Sequence, residues 1–128
     1  MAGLVMTGAN PANAASTEDH FSFSFYYPPG VTDVEILVTN RTKGIPAGYA
    51  DFIADGDIVV AHDSGADGYG IEAHLKSSPP KIASTRGHSA PYTDADKRDL
   101  PENHSYQFWV CAVNGNWSSC SDTQLVVS

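Results

Sequence analysis

The chain has 128 residues, of which 41% are hydrophobic and 17% charged. That balance suits one folded globular domain and excludes a disordered chain. Seven Lys and Arg stand against 15 Asp and Glu, a net charge of −8, so the basic face that phosphate neutralisation needs is missing, as is the polybasic run that attaches proteins to anionic membranes. No apolar stretch approaches the roughly 20 residues of a membrane-spanning helix. No nucleic-acid partner and no membrane insertion are expected.

Met1 to Ala15 read MAGLVMTGANPANAA, small and apolar residues without charge. Ala12-Asn13-Ala14 is an A-x-A cleavage pattern with Pro11 before it. Residues 1–14 therefore read as a partial signal peptide, or else as a disordered tail. On either reading they stand outside a single domain expected over 15–128, which opens with a flexible lead at 15–20. The expected location is secreted and extracellular. Cys111 and Cys120, the two cysteines, flank an Asn114-Gly115 turn signal. In an exported protein such a pair is most simply a disulfide, and closing so short a loop contributes on the order of 2–3 kcal/mol.

From Phe21 the pattern has period two. Phe21, Phe23, Phe25 and Tyr27 alternate with Ser22, Ser24 and Tyr26, the mark of a half-buried strand, and Pro28-Pro29-Gly30 ends it. Val34, Ile36 and Val38 alternate in a second strand. Gly44, Pro46 and Gly48 read as breakers before a short strand at 49–53. Further strands are expected at 57–62, 69–76, 82–85, 105–113 and 124–127. Residues 86–103 show no clear pattern, with one short helical turn expected at 94–100. Seven to eight short strands with turn signals between them define the expected fold: all-β, an antiparallel β-sandwich.

Two segments resemble a fibronectin type III domain. Phe21 to Val34 is similar to its second strand, Pro-rich turn and entry to the third. Asp99-Leu100-Pro101 through Tyr106 to Gly115 resembles its Leu-Pro corner and the strand after it. The resemblance implies an immunoglobulin-like sandwich in which Leu100 is buried and the Tyr106 hydroxyl bonds back to the corner. The run Asp57 to Ala73, followed by Ser84-Thr85-Arg86-Gly87-His88, resembles small exported proteins of filamentous actinobacteria. Some β-sandwich proteins of these bacteria are adaptors in umbrella toxin particles, joining a lectin-bearing subunit to a large toxin chain.

Candidate chemistry is sparse. Asp63-Ser64-Gly65-Ala66-Asp67-Gly68 offers Asp63 and Asp67 as calcium ligands, or as turn residues whose carboxylates bond local backbone N–H groups. The five histidines lie far apart and lack metal-binding spacings, although His62 and His74 fall on neighbouring candidate strands, near enough to meet. No G-x-S-x-G elbow appears, and no catalytic residue is assigned. Trp117 lies in the cysteine-bracketed hairpin, where a loop position exposes it. The expected function is a non-catalytic protein-binding module, an adaptor in a larger extracellular assembly whose partners are other secreted proteins. Its binding residues are expected in the lead and the first strand (Ser16, Thr17, Glu18, Asp19, His20, Phe21 and Phe23) and at Trp117. Alternatives are a secreted protease inhibitor and a carbohydrate-binding module. The cysteine reading predicts that thiol titration of the unfolded, unreduced protein finds no free thiol; two titratable thiols would overturn it.

Overall fold

The computed structural model describes residues 17–128, and their regular structure is entirely antiparallel strand. The strands are β1 (Phe21–Tyr26), β2 (Val34–Asn40), β3 (Ile45–Ile53), β4 (Ile58–Asp63), β5 (Gly70–Leu75), β6 (Lys81–Ser84), β7 (Tyr92–Asp96), β8 (Ser105–Asn114), β9 (Trp117–Cys120) and β10 (Gln124–Val127). One sheet has the order β1-β2-β3-β4-β7, and the other β10-β8-β5-β6, with β9 pairing the far half of β8. The expected sandwich is present. Residues 1–14, read as signal peptide or tail, lie outside the described residues.

Alternation builds the core. In β2, Val34, Ile36 and Val38 are buried while Glu35 and Leu37 face outward, as a pleat with one wet face requires. Val59 and Ala61 in β4 and Ile71, Ala73 and Leu75 in β5 meet them from both sheets. Phe52 of one sheet packs on Phe108 of the other, ring centroids 6.1 Å apart. Phe21, Phe23, Phe25, Leu100 and Tyr106 close the margin.

Among the described residues ten strands form where seven to eight are legible in the sequence, for local reasons. β3 runs through the supposed breakers. Val38 pairs with Gly48 and Thr39 with Pro46, so Ala47 is the extra residue of a bulge, which accommodates a proline in a strand. Gly48 is required there, because a Cβ would stand 2.1 Å from the His62 carbonyl oxygen. β7 replaces the helical turn expected at 94–100. It is a polar edge strand that among the described residues pairs only β4, and its carboxylates face the other sheet: Asp94 Oδ2 accepts from the Ser84 N–H at 2.9 Å. Inward-directed charge of this kind also guards an edge.

The threading departs from the immunoglobulin plan, in which the second and third strands lie in opposite sheets. Here the strands flanking Pro28-Pro29-Gly30 pair with each other, Phe25 opposite Ile36. The corner is also built differently. Leu100 packs against the core, but among the described residues the Tyr106 hydroxyl makes no hydrogen bond. Ser128 closes the loop instead: its carbonyl accepts from the Asn103 N–H at 3.1 Å and its Oγ donates to the Pro101 carbonyl at 2.6 Å. β10, paired with the start of β8, brings that residue to the corner.

Lys81, at the start of β6, is 0% exposed. Its ammonium donates to the carbonyls of Asp57 and Arg98 and lies 3.9 Å from Asp96 Oδ1. Burial holds it below the usual lysine range, against the pull of Asp96. Asp57, also buried, accepts the Leu100 N–H at Oδ2, 3.0 Å. One cation thus ties the β3–β4 turn to the β7–β8 loop. Lys81→Met should cost about 2–4 kcal/mol by stranding buried carbonyls. Guanidinium denaturation checks this, and an unchanged midpoint would contradict it.

Candidate binding cleft

β1 begins at one end of the sandwich, called here the lead end. Three connections meet there: residues 64–69 after β4, 85–91 after β6, and the 115–116 turn after β8. They enclose a cleft of about 560 Å³, lined by Asp63, Tyr69, Arg86, His88, Asn114 and several glycines. It lies outside the core, so its size does not depend on the thin space between sheets.

Arg86 is held from several directions. Its Nε donates to the Glu72 carboxylate, Nη1 donates to the Gly115 carbonyl at 2.9 Å, and its backbone N–H donates to Ser84 Oγ at 3.2 Å. Burial opposes ionisation of Glu72, but hydrogen bonds from Arg86 and Ser84 hold its carboxylate below the usual range. Thr85 Oγ1 accepts from the Ile71 N–H at 2.9 Å, anchoring the loop to β5. Gly87, at φ +80°, lets the chain reverse, and the His88 N–H returns to the Thr85 carbonyl at 3.2 Å. The His88 ring lies flat on Tyr92, centroids 3.7 Å apart.

Asp63 is 4% exposed, and its Oδ1 is buried without a hydrogen-bond partner. Burial first, then the charge of Asp67, pushes its carboxyl up to about 6, against a Gly65 backbone N–H. Asp67 is fully engaged: Oδ1 accepts from the Tyr69 N–H at 3.1 Å and Oδ2 from Asn40 Nδ2 at 3.0 Å. The two residues considered for calcium do come together, but Asp67 behaves as a turn residue. No group of three or more His, Cys, Asp or Glu among the described residues is arranged for a metal.

The described part of the lead lies against this end. Tyr69 accepts the Asp19 N–H at 3.0 Å and donates to Glu18 at 2.8 Å. The His20 N–H donates to Thr42 Oγ1 at 2.8 Å, and its carbonyl accepts from the Arg41 N–H at 2.7 Å. Asp19 also accepts from Asn40 Nδ2 at 2.9 Å and pairs with Lys43, whose hydrogen bond holds the Asp19 carboxyl below its usual range. Thr17 is exposed, and Ser16 lies outside the described residues. Phe21, Tyr69 and Trp117 form a three-ring cluster, with Tyr69 5.0 Å from Phe21 and 5.4 Å from Trp117. Trp117 is half-buried in strand β9, not displayed on a loop. Phe23 is half-buried against the core. Cys111 and Cys120 face each other across β8 and β9 with sulfurs 2.03 Å apart.

His62 and His74 do not meet, because β4 and β5 belong to opposite sheets. His62 stacks on Tyr49 and His74 on Trp109. The first sheet also carries a feature with no local signal in the sequence. Glu35 and Asp51 stand directly opposite in the β2–β3 register. Burial, then the charges of Glu35 and Asp33, push the Asp51 carboxyl up to about 7. Only the pairing of two strands makes these acids neighbours.

No known family, curated protein or solved structure matches the chain.

Asp51 and Asp63 are raised to about 7 and about 6 from a reference of 3.8. The native state therefore binds more protons than the unfolded state between about pH 4 and pH 7, and these groups make stability fall as pH rises through that window. Asp51→Asn should flatten the slope and, after allowance for screening, raise stability by about 1–2 kcal/mol near pH 8. Denaturant titrations at pH values near 5 and 8 read both effects; a slope unchanged in the variant would contradict the assignment.

Proposed function

We propose that this protein is an exported, non-catalytic protein-binding module, an adaptor joining larger proteins in an extracellular assembly such as an antibacterial toxin particle. The observation that carries this reading is the placement of exposed apolar side chains. Tyr26, Tyr27 and Val31 are 52–56% exposed, Leu125 70% and Val127 39%. They occupy β1 with its following turn, and β10, edge strands of the two sheets. The Tyr27 hydroxyl donates to Gln124 Oε1, so the two edges adjoin at that point. Exposed tyrosines and aliphatics are the side chains that an interface core buries.

The β1 edge supports the same use. Phe-Ser-Phe-Ser-Phe-Tyr carries neither charge nor proline, the usual guards of an edge strand. Among the described residues β1 pairs only β2, so its outer backbone groups suit strand addition by a partner. The resemblance of the segments 57–73 and 84–88 to small exported actinobacterial proteins agrees with an adaptor role.

The test is capture from native culture supernatant with mass spectrometry. The wild-type chain should retain a partner at fixed stoichiometry, and a Tyr27→Ser, Leu125→Ser double variant should lose it with little change in thermal midpoint. Equal capture by both proteins would defeat the reading.

A further inference from the structure

We propose that the lead-end cleft is a binding site for a short neutral saccharide of one or two rings, separate from the flank that engages protein. At about 560 Å³ the cleft falls within the range of small-molecule sites. Its lining mixes the donors and acceptors of Arg86, Asn114 and Ser89 with the Tyr69 ring, Val113 and the main chain of glycine turns. A ligand that fits must offer hydroxyl groups and apolar C–H faces together, as a sugar ring does.

Charge narrows the choice. The Arg86 guanidinium is compensated by Glu72, so no unpaired cation lines the cleft to hold a phosphate or a carboxylate. The walls are turns, and the two strands beneath them are already paired on both sides: β5 lies between β6 and β8, and β9 covers the end of β8. An extended peptide therefore finds no ladder to join along either strand. The site is also pre-organised. Arg86 is fixed through Glu72, Gly115 and Ser84, and His88 lies flat on Tyr92, so little ordering entropy is lost on binding.

The experiment is an amide NMR titration of the full chain with D-galactose, N-acetylglucosamine, cellobiose and chitobiose in turn. At least one sugar should give saturable shifts at Gly68, Gly87 and Gly115. Asn114→Ala, at an exposed position, and Arg86→Ala should each weaken that binding by about fivefold or more. The flank double variant should bind the sugar unchanged, so failure of the adaptor reading and failure of this one are distinguishable. The proposal is overturned if none of the four sugars shifts these amides, or if Asn114→Ala, confirmed as folded by its spectrum, binds as the wild type does. It is also overturned if only glucose 6-phosphate or the peptide Ala-Ala-Ala produces the shifts.

Discussion

A single buried ammonium holds together the part of this sandwich that regular pairing does not. The chain enters β6 in one sheet, crosses to β7 in the other, and crosses back to β8. No strand ladder spans the second of those crossings. Lys81 does, through the carbonyls of Asp57 and Arg98 and the nearby Asp96 carboxylate. A cation without water is tolerated only where oxygen atoms surround it, and the two loops supply them. Asp57 then passes the constraint on by accepting the Leu100 N–H, which sets the corner from which β8 starts. β8 is the spine of the second sheet, paired with β5 on one side and with β9 and β10 on the other.

With that end pinned, the opposite end is free to carry loops. β4, β6 and β8 all deliver their connections there, and the 85–91 loop is held by Thr85 against β5 and by Arg86 against Glu72 and Gly115. The lead lies on the same end through Tyr69, which also anchors the Phe21–Trp117 cluster. Tyr69 is therefore shared by the cleft wall and the start of β1. The two proposed surfaces lie apart, the cleft among end loops and the apolar flank along the β1 and β10 edges.

The excess of acid is distributed with consequences. Several carboxylates serve as acceptors for backbone N–H groups, as Asp33 does for Ala54 at 2.9 Å and Asp67 does for Tyr69. These are local devices that hold turns. Asp51 and Asp63 differ, since burial and a second acid beside each work against ionisation. The fold keeps them at some cost near neutral pH, where each carries charge in a place with little solvent.

Period-two alternation made β1 and β2 legible in the sequence, because a strand with one dry face must alternate whatever its partners are. The sandwich class followed from the same signal, and the cysteine pair from its spacing around Asn114-Gly115. Segments whose character depends on distant neighbours were not legible. β7 reads as a polar loop because Asp94 and Asp96 find their partners on β6, ten or more residues away in sequence. β3 reads as broken because its proline and glycine make sense only beside a bulge and the His62 carbonyl. Lys81 looks like a surface lysine until two loops close over it. His62 and His74 look adjacent until the chain places them in opposite sheets. The residues of the cleft lie in separate segments of the sequence, and only the crossing of β6 to β7 brings Arg86 and His88 beside Asp63 and Tyr69. Alternation is written by local periodicity and survives in one dimension; which strands cross, and therefore which acids, rings and loops meet, is decided by pairing between residues far apart in the chain.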